Sequence, residues 1–174
     1  LGNGTYCSSC APGKYTDAHE KSLCDPCPAG KYNTKSGMTA CSACPVGKYQ
    51  PDTTQTFCDV AGNGTYVPAA GASAVMKCPA GSYQPKTGQP NCIKCPAGSY
   101  QPAAQADECF VCAAGLHSPT VGATKCTNCS AGTFSGVGAT VCGQCAKGRY
   151  NPQGDNSCES CDGGTYADKI GMSQ

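Results

Sequence analysis

A glycine, one residue of any type and an aromatic residue recur along this chain of 174 residues at intervals of 17. The interval is constant through the first eight copies, in which a histidine and then a phenylalanine replace tyrosine, and shortens to 16 near the end. A fixed period of this length indicates a repeat architecture in which each unit packs against its neighbours. The ten residues in the aromatic position are Tyr15, Tyr32, Tyr49, Tyr66, Tyr83, Tyr100, His117, Phe134, Tyr150 and Tyr166.

Each unit is too short, and too often interrupted by Gly or Pro, to form a helix. A short strand at the aromatic residue, a turn at a glycine such as Gly37 or Gly71, and a short return strand predict a β-hairpin. A single hairpin buries little surface, so we expect the aromatic rings to pack between neighbouring units as a ladder along one side. A ligand-binding stripe is the alternative interpretation of these rings.

Large apolar side chains are too few for an ordinary hydrophobic core. Val, Leu, Phe and Ile together make up 16 of the 174 residues, whereas chains with less than about 20% of these residues struggle to bury enough surface. Cys, by contrast, occurs 18 times, as in small secreted domains that are held by cross-links. The sequence therefore predicts a small disulfide-rich all-β repeat, an elongated rod of β-hairpin units in a cysteine ladder with little or no helix.

Sixteen cysteines form eight C-x-x-C pairs in the same period, and Cys58 and Cys78 stand alone. The positions where their companions would fall hold Ala61 and Val75. If the second Cys of each motif bonds the first Cys of the next, these two absences remove one complete disulfide and leave no stray thiol. This rule closes loops of 12 or 13 residues and predicts the bonds Cys10–Cys24, Cys27–Cys41, Cys44–Cys58, Cys78–Cys92, Cys95–Cys109, Cys112–Cys126, Cys129–Cys142 and Cys145–Cys158.

Cys7 and Cys161 have no partner within the segment under this rule. We expect that the segment belongs to a longer repeat protein, or that its ends bridge to neighbouring copies. The cysteine pattern divides the chain into an N-terminal block, residues 1–58, and a C-terminal block, residues 78–174. Between them, residues 59–77 form an atypical repeat without its disulfide, a candidate flexible joint.

Two other uses of C-x-x-C pairs are weighed against disulfides. Eight pairs could supply four tetrahedral zinc sites, but zinc leaves the single Cys58 and Cys78 unexplained. Redox catalysis of the thioredoxin type requires a βαβ context that no pair has. We therefore expect neither a metal nor another cofactor.

Three N-x-S/T sequons, at Asn3, Asn63 and Asn128, are candidate N-glycosylation sites. Asn3 and Asn63 lie in the shared phrase G-N-G-T-Y, whereas Asn128 precedes a cysteine that we expect to be bridged. With a net charge of +1, 13% charged residues and no long apolar run, nucleic-acid partners and membrane insertion of this segment are not expected. No catalytic motif is present, and we do not expect an enzyme.

The motif Cys-Pro-Ala-Gly-Ser-Tyr-Gln-Pro, at Cys78–Pro85 and again at Cys95–Pro102, resembles the ephrin-receptor-like cysteine-rich repeat. This repeat is a relative of the tumour-necrosis-factor-receptor type of ladder. The resemblance covers essentially the whole chain, and long runs of this kind are similar to protist and algal surface proteins and to mastigoneme-type flagellar hairs. It implies an extracellular array of hairpins cross-braced by disulfides.

These observations predict an extracellular or cell-surface structural protein, a glycosylated, self-assembling component of a filament, surface coat or flagellar hair. Its expected partners are copies of itself or other repeats of a longer parent chain. The alternative is a ligand-binding or spacer ectodomain of a cell-surface receptor. A binding module usually interrupts its consensus with an unusual aromatic or charged patch, so the regularity of the chain favours the structural role.

Overall fold

Eighteen strands of two residues each form the secondary structure of residues 7–174, the part of the chain that the computed structural model describes. They pair in sequence order into nine two-stranded antiparallel sheets, and no helix occurs among the described residues. Each sheet is one hairpin of the predicted repeat. The strands are β1 (Lys14–Tyr15), β2 (Asp25–Pro26), β3 (Lys31–Tyr32), β4 (Ser42–Ala43), β5 (Lys48–Tyr49), β6 (Asp59–Val60), β7 (Thr65–Tyr66), β8 (Met76–Lys77), β9 (Ser82–Tyr83), β10 (Ile93–Lys94), β11 (Ser99–Tyr100), β12 (Phe110–Val111), β13 (Leu116–His117), β14 (Thr127–Asn128), β15 (Thr133–Phe134), β16 (Gly143–Gln144), β17 (Arg149–Tyr150) and β18 (Glu159–Ser160).

The first strand of every hairpin carries the residue in the aromatic position, and the second strand is the pair of residues between the cysteines of a C-x-x-C motif. In the hairpin β3–β4, Tyr32 is opposite Ser42. A tight turn precedes β3, because the Lys31 amide donates to the Pro28 carbonyl at 3.0 Å. Gly30 occupies the third position of this turn with φ +80°, a conformation that glycine adopts without steric cost.

Backbone hydrogen bonds join each hairpin to the next two along the chain. The Gly30 amide donates to the Gln50 carbonyl at 2.8 Å, and the Gln50 amide donates to the Ala72 carbonyl at 3.1 Å. The Gly71 amide returns to the Cys44 carbonyl at 2.8 Å. These bonds recur in successive repeats, so each unit is held by its neighbours, as expected of a repeat array.

The same packing leaves no room for a side chain at the turn glycine. A Cβ atom built on Gly30 would lie 2.1 Å from the carbonyl oxygen of Gly71, and one on Gly98 would lie 2.2 Å from that of Gly138. Glycine is therefore required twice over, by its positive φ and by the approach of a backbone from the next repeat but one.

The chain divides into two compact units. One runs through Lys77 and includes Lys86–Asn91; the other comprises Cys78–Pro85 and Cys92–Gln174. The atypical repeat, residues 59–77, lies wholly within the first unit. The predicted division into residues 1–58, 59–77 and 78–174, with a joint in the middle, stays a prediction.

Cysteine, and not aliphatic residues, supplies most of the buried apolar groups. The only other buried apolar residues in the described part of the chain are Ala61, Val67 and Ala167. Paired short strands, a repeated ladder of eight disulfides and the lack of helix among residues 7–174 confirm the predicted fold class of a small, disulfide-rich all-β repeat. Nor does this part of the chain contain a helix of the length and hydropathy that crossing a membrane requires.

Candidate functional site

Eight disulfides, one for each bridged hairpin, link the second cysteine of one C-x-x-C motif to the first cysteine of the next. The Cα atoms of every pair lie 5.7 or 5.8 Å apart, within the range that disulfide geometry allows. The bonded pairs are the predicted ones: Cys10–Cys24, Cys27–Cys41, Cys44–Cys58, Cys78–Cys92, Cys95–Cys109, Cys112–Cys126, Cys129–Cys142 and Cys145–Cys158.

The two ends of each disulfide differ in burial. The second cysteine of each motif, such as Cys44 or Cys95, is buried, and its partner in the next motif, Cys58 or Cys109, is half-buried. Each bond therefore runs from the interior of the array towards its surface. Sulfur atoms bonded to one another are not thiolates, so this arrangement does not supply the four-cysteine ligand sets of the zinc alternative.

Cys7 and Cys161 are the free cysteines of the described residues, as the pairing rule predicts. Cys7 is exposed and lines a groove with Lys14, Lys21 and Leu23. Cys161 is half-buried, and its amide donates to the Gly148 carbonyl at 3.0 Å, as the equivalent cysteine amides do in other repeats. That these thiols bridge to other repeats or chains stays a prediction.

The residue after the aromatic position is buried in every repeat except the first, and it is usually polar. Gln50 shows the pattern: its amide nitrogen donates to the Phe57 carbonyl at 3.0 Å, and its amide oxygen accepts from the Asp52 backbone at 3.0 Å. No buried side-chain nitrogen or oxygen in the described part of the chain is left without a hydrogen bond. The set, here called the amide row, is Asn33, Gln50, Val67, Gln84, Gln101, Ser118, Ser135, Asn151 and Ala167.

The amide row escaped sequence reasoning because polar residues are usually assigned to the surface. A signal was nevertheless present, since Asn, Gln or Ser follows the aromatic position in seven of ten repeats. Asn151 shows why a short amide suits the place. Its Oδ1 accepts from the backbone amides of Gln153, Gly154 and Asp155, and its Nδ2 donates to the carbonyls of Thr133 and Ser157.

The aromatic residues themselves do not form the expected ladder of packed rings. Those at positions 15–117 and Tyr150 are half-buried, whereas Phe134 and Tyr166 are exposed. The one ring-to-ring contact in the described part of the chain, Tyr100 with Phe110 at 5.8 Å, lies within a hairpin and not between repeats. Successive residues of a strand point to opposite faces, so the amide row takes the inner face and the aromatic residue the outer one.

The residue opposite the aromatic position varies along the chain. It is acidic in the last hairpin, where a hydrogen bond to Glu159 raises the pKa of Tyr150. In two adjacent hairpins of the second unit it is instead a large apolar residue: Ile93, opposite Tyr83, is 46% exposed, and Phe110, opposite Tyr100, is 48% exposed. These last four residues are here called the apolar patch.

Two of the three sequons lie in the described residues; Asn3 lies outside them. Asn63 is exposed at the second position of the turn that begins at Gly62, where the Thr65 amide donates to the Gly62 carbonyl at 3.1 Å. Asn128 is exposed in β14 and is followed by the bridged Cys129.

The hairpin without a disulfide, β7–β8, keeps the register of its neighbours, with Tyr66 opposite Met76. Ala61 takes the place of the buried cysteine and is fully buried, while Val75 takes the place of the half-buried one. The amide-row residue of this hairpin is Val67, also fully buried. Apolar residues therefore replace both the bridge and the buried amide, an association that the sequence alone did not reveal.

Residues 30–78 and 64–107 match the family model described as tyrosine-protein kinase ephrin type A/B receptor-like. No curated protein matches the chain. The matched residues contain the unbridged hairpin as well as the complete bridged loops Cys44–Cys58 and Cys78–Cys92, so the family pattern tolerates the loss of one disulfide. The family match and the repeated disulfide hairpins identify this chain as one built from ephrin-receptor-like cysteine-rich repeats.

Proposed function

We propose that this chain is a structural component of an extracellular filament, surface coat or flagellar hair. The repeat family and the eight disulfides indicate an extracellular, disulfide-rich domain. The observation that carries the more specific proposal is the uniformity of the hairpins. Every bridged pair has the same Cα separation within 0.1 Å, and the same backbone bonds recur from repeat to repeat.

Uniform repeats suit a mechanical role because load is shared among equivalent units. In the chain-entropy view, each loop of this size stabilises its hairpin by about 3 kcal/mol. The backbone bonds of Gly30 and Gly71 to other repeats connect the hairpins that the disulfides close individually. This arrangement provides resistance to proteases and to extension, and it requires neither cofactor nor catalytic group.

Self-assembly is the part of the proposal that the apolar patch supports. Exposed apolar side chains that cluster on a surface commonly mark a contact with another protein. The Gly81 amide donates to the Gln101 carbonyl at 2.8 Å, so the two hairpins that carry the patch are neighbours. In this proposal the patch contacts another copy of the chain or another repeat of a longer parent protein.

The receptor-ectodomain alternative draws on the same patch, because it is a local departure from an otherwise uniform surface. Electron microscopy of the native material separates the two functions. Ordered fibres or a lattice support the structural role. Dispersed molecules that bind a partner protein saturably contradict it and support the ectodomain.

A paired substitution tests the patch itself. We expect Ile93→Asp with Phe110→Ser, residue types found at equivalent positions in other repeats, to abolish fibres or shift them to dimers and monomers. The matched control is Val137→Asp, which changes a residue that is 73% exposed outside the patch. Fibres that are unchanged in the paired variant contradict a role of the patch in assembly.

N-linked glycans belong to the proposal at Asn63 and Asn3, and less so at Asn128. The Asn63 side chain projects from a turn in the one hairpin without a disulfide, so no cysteine bridge closes over its sequon. We expect glycopeptide mass spectrometry of secreted protein to find Asn63 occupied to a greater extent than Asn128, which lies beside the bridged Cys129. An unmodified Asn63 contradicts this assignment.

A further inference from the structure

One residue in the aromatic position is a histidine, and it lies against a disulfide. The Nδ1 atom of His117 is 3.1 Å from Sγ of Cys142, which is bonded to Cys129. A ring nitrogen of His117 and both sulfur atoms lie within 4.8 Å of one another. The imidazole therefore reaches both ends of a sulfur–sulfur bond.

The other disulfides have a different neighbour at this place in the repeat. Counting by the repeat phase, Cys112–Cys126 is preceded by Tyr100, as Cys129–Cys142 is by His117. The second histidine of the chain, His19, lies exposed outside the aromatic positions. Among the described residues, Cys129–Cys142 is thus the bridge at which an imidazole stands in for the phenol ring.

We propose that Cys129–Cys142 is a thiol-exchange site in which His117 transfers the proton. The sulfur of an incoming thiol attacks Sγ of Cys142, the more exposed of the two sulfurs, as its proton passes to the imidazole. The Cys129–Cys142 bond breaks with its electron pair on Cys129, and a new sulfur–sulfur bond joins Cys142 to the incoming sulfur. The imidazolium returns the proton to Cys129, so that one thiol is consumed and one is formed.

The rest of the hairpin can survive this exchange. The Cys145 amide donates to the Gly132 carbonyl at 2.9 Å, and the Gly132 amide donates to the Asn151 carbonyl at 2.7 Å. Neither bond involves a sulfur atom. The product is a mixed disulfide at the half-buried Cys142 and a thiol at the buried Cys129, a covalent attachment point for a thiol-bearing molecule that goes beyond the structural role proposed above.

The test uses the oxidised full chain and glutathione as the incoming thiol. Samples are quenched with acid at short times, alkylated, and mapped by mass spectrometry without reduction. We expect Cys129–Cys142 to open about three- to tenfold faster than Cys112–Cys126, as for a charge-assisted hydrogen bond that is partly formed in the transition state. His117→Gln and His117→Tyr should remove this excess, and the mixed disulfide should form at Cys142.

A transplant provides the matched gain-of-function variant. Tyr100→His places an imidazole at the equivalent position beside Cys112–Cys126, and we expect the opening of that bond to accelerate by a similar factor. It also decides the question if the His117 variants fail to fold. Equal opening rates of Cys129–Cys142 in the original chain and in His117→Gln would overturn the proposal, as would an unchanged Cys112–Cys126 rate in a folded Tyr100→His variant.

Discussion

Two consecutive hairpins of the first unit show what the disulfides do and what they do not do. The hairpin β5–β6 is bridged by Cys44–Cys58, and β7–β8 holds Ala61 and Val75 in the corresponding positions. Both pair in the same register, and in both the backbone amide of the amide-row residue donates to a carbonyl of a later repeat. Turn chemistry and backbone bonds therefore specify the hairpin, and the disulfide adds stability to a geometry already defined.

The comparison also shows that a bridge and a buried amide can be replaced together. In β5–β6 the amide row contributes Gln50, which bonds backbone groups of its own hairpin. In β7–β8 it contributes Val67, beside a buried Ala61. An apolar side chain needs no hydrogen-bond partner when buried, so a small apolar cluster is the natural substitute where no sulfur bridge is present.

Giving the bridged hairpin the residues of the unbridged one should have the largest effect. We expect Cys44→Ala with Cys58→Val to lower the free energy of opening of this hairpin by about 3 kcal/mol, because the unfolded loop is no longer constrained. Hydrogen exchange of the Gln50 amide, which donates to Ala72, measures this locally. Exchange that is unchanged would show that the bridge contributes nothing to a hairpin already held by its neighbours.

The turn glycine should be nearly as sensitive. We expect Gly30→Ala to destabilise the array by about 3 kcal/mol, because the added Cβ would meet the Gly71 carbonyl and the residue would be held at a positive φ. Gly62→Ala is the matched control, since a Cβ there meets nothing within 4 Å. Thermal unfolding should separate the two variants clearly, and equal melting temperatures would contradict the close approach.

Shortening the apolar side chain of the unbridged hairpin should cost less. We expect Val67→Ala to lower stability by about 2 kcal/mol through lost apolar burial and the cavity left behind. Val60→Ala, at an exposed valine of the preceding hairpin, is the control and should change stability by less than about 0.5 kcal/mol. Similar losses for both would mean that Val67 does not compensate for the missing bridge.

Restoring the missing bridge should give a moderate gain. We expect Ala61→Cys with Val75→Cys to form a ninth disulfide and stabilise the hairpin by about 1–2 kcal/mol, less than a native bridge because the apolar cluster is lost. Thiol titration and non-reducing peptide mapping check the bond. A pair of thiols that stays reduced would mean that this hairpin has departed from the cysteine geometry of its neighbours.

The smallest effect concerns the second turn of the bridged hairpin. Thr54 has φ +64° where most repeats have glycine, and a β-branched residue is strained there. We expect Thr54→Gly to stabilise this hairpin by about 0.5 kcal/mol after the entropy cost of glycine. Thr53→Gly, without that positive φ, should be destabilising, so a loss in both variants would contradict the strain.

The cysteine pairing was accessible from the sequence because two absences at a fixed phase act as a constraint. The interior of the array was not. Tyrosine was expected inside and Gln or Asn outside, but strand alternation places the ring and the following residue on opposite faces, and the inner position lies among backbone groups that need hydrogen bonds. Burial of Gln50 and Asn151 follows from that demand, which only the stacked backbone reveals. The contact of His117 with Cys142 likewise depends on how successive repeats overlap.

The separation of 13 or 14 residues within every bonded pair has a consequence for biosynthesis. A nascent chain that enters an oxidising compartment can close each bridge once the second cysteine of that pair has emerged. No distant thiol has to be awaited, and the correct partner is always the most recently emerged unpaired cysteine. Oxidation can therefore keep pace with translocation, and an array of this kind can be lengthened by whole repeats without making its maturation any harder.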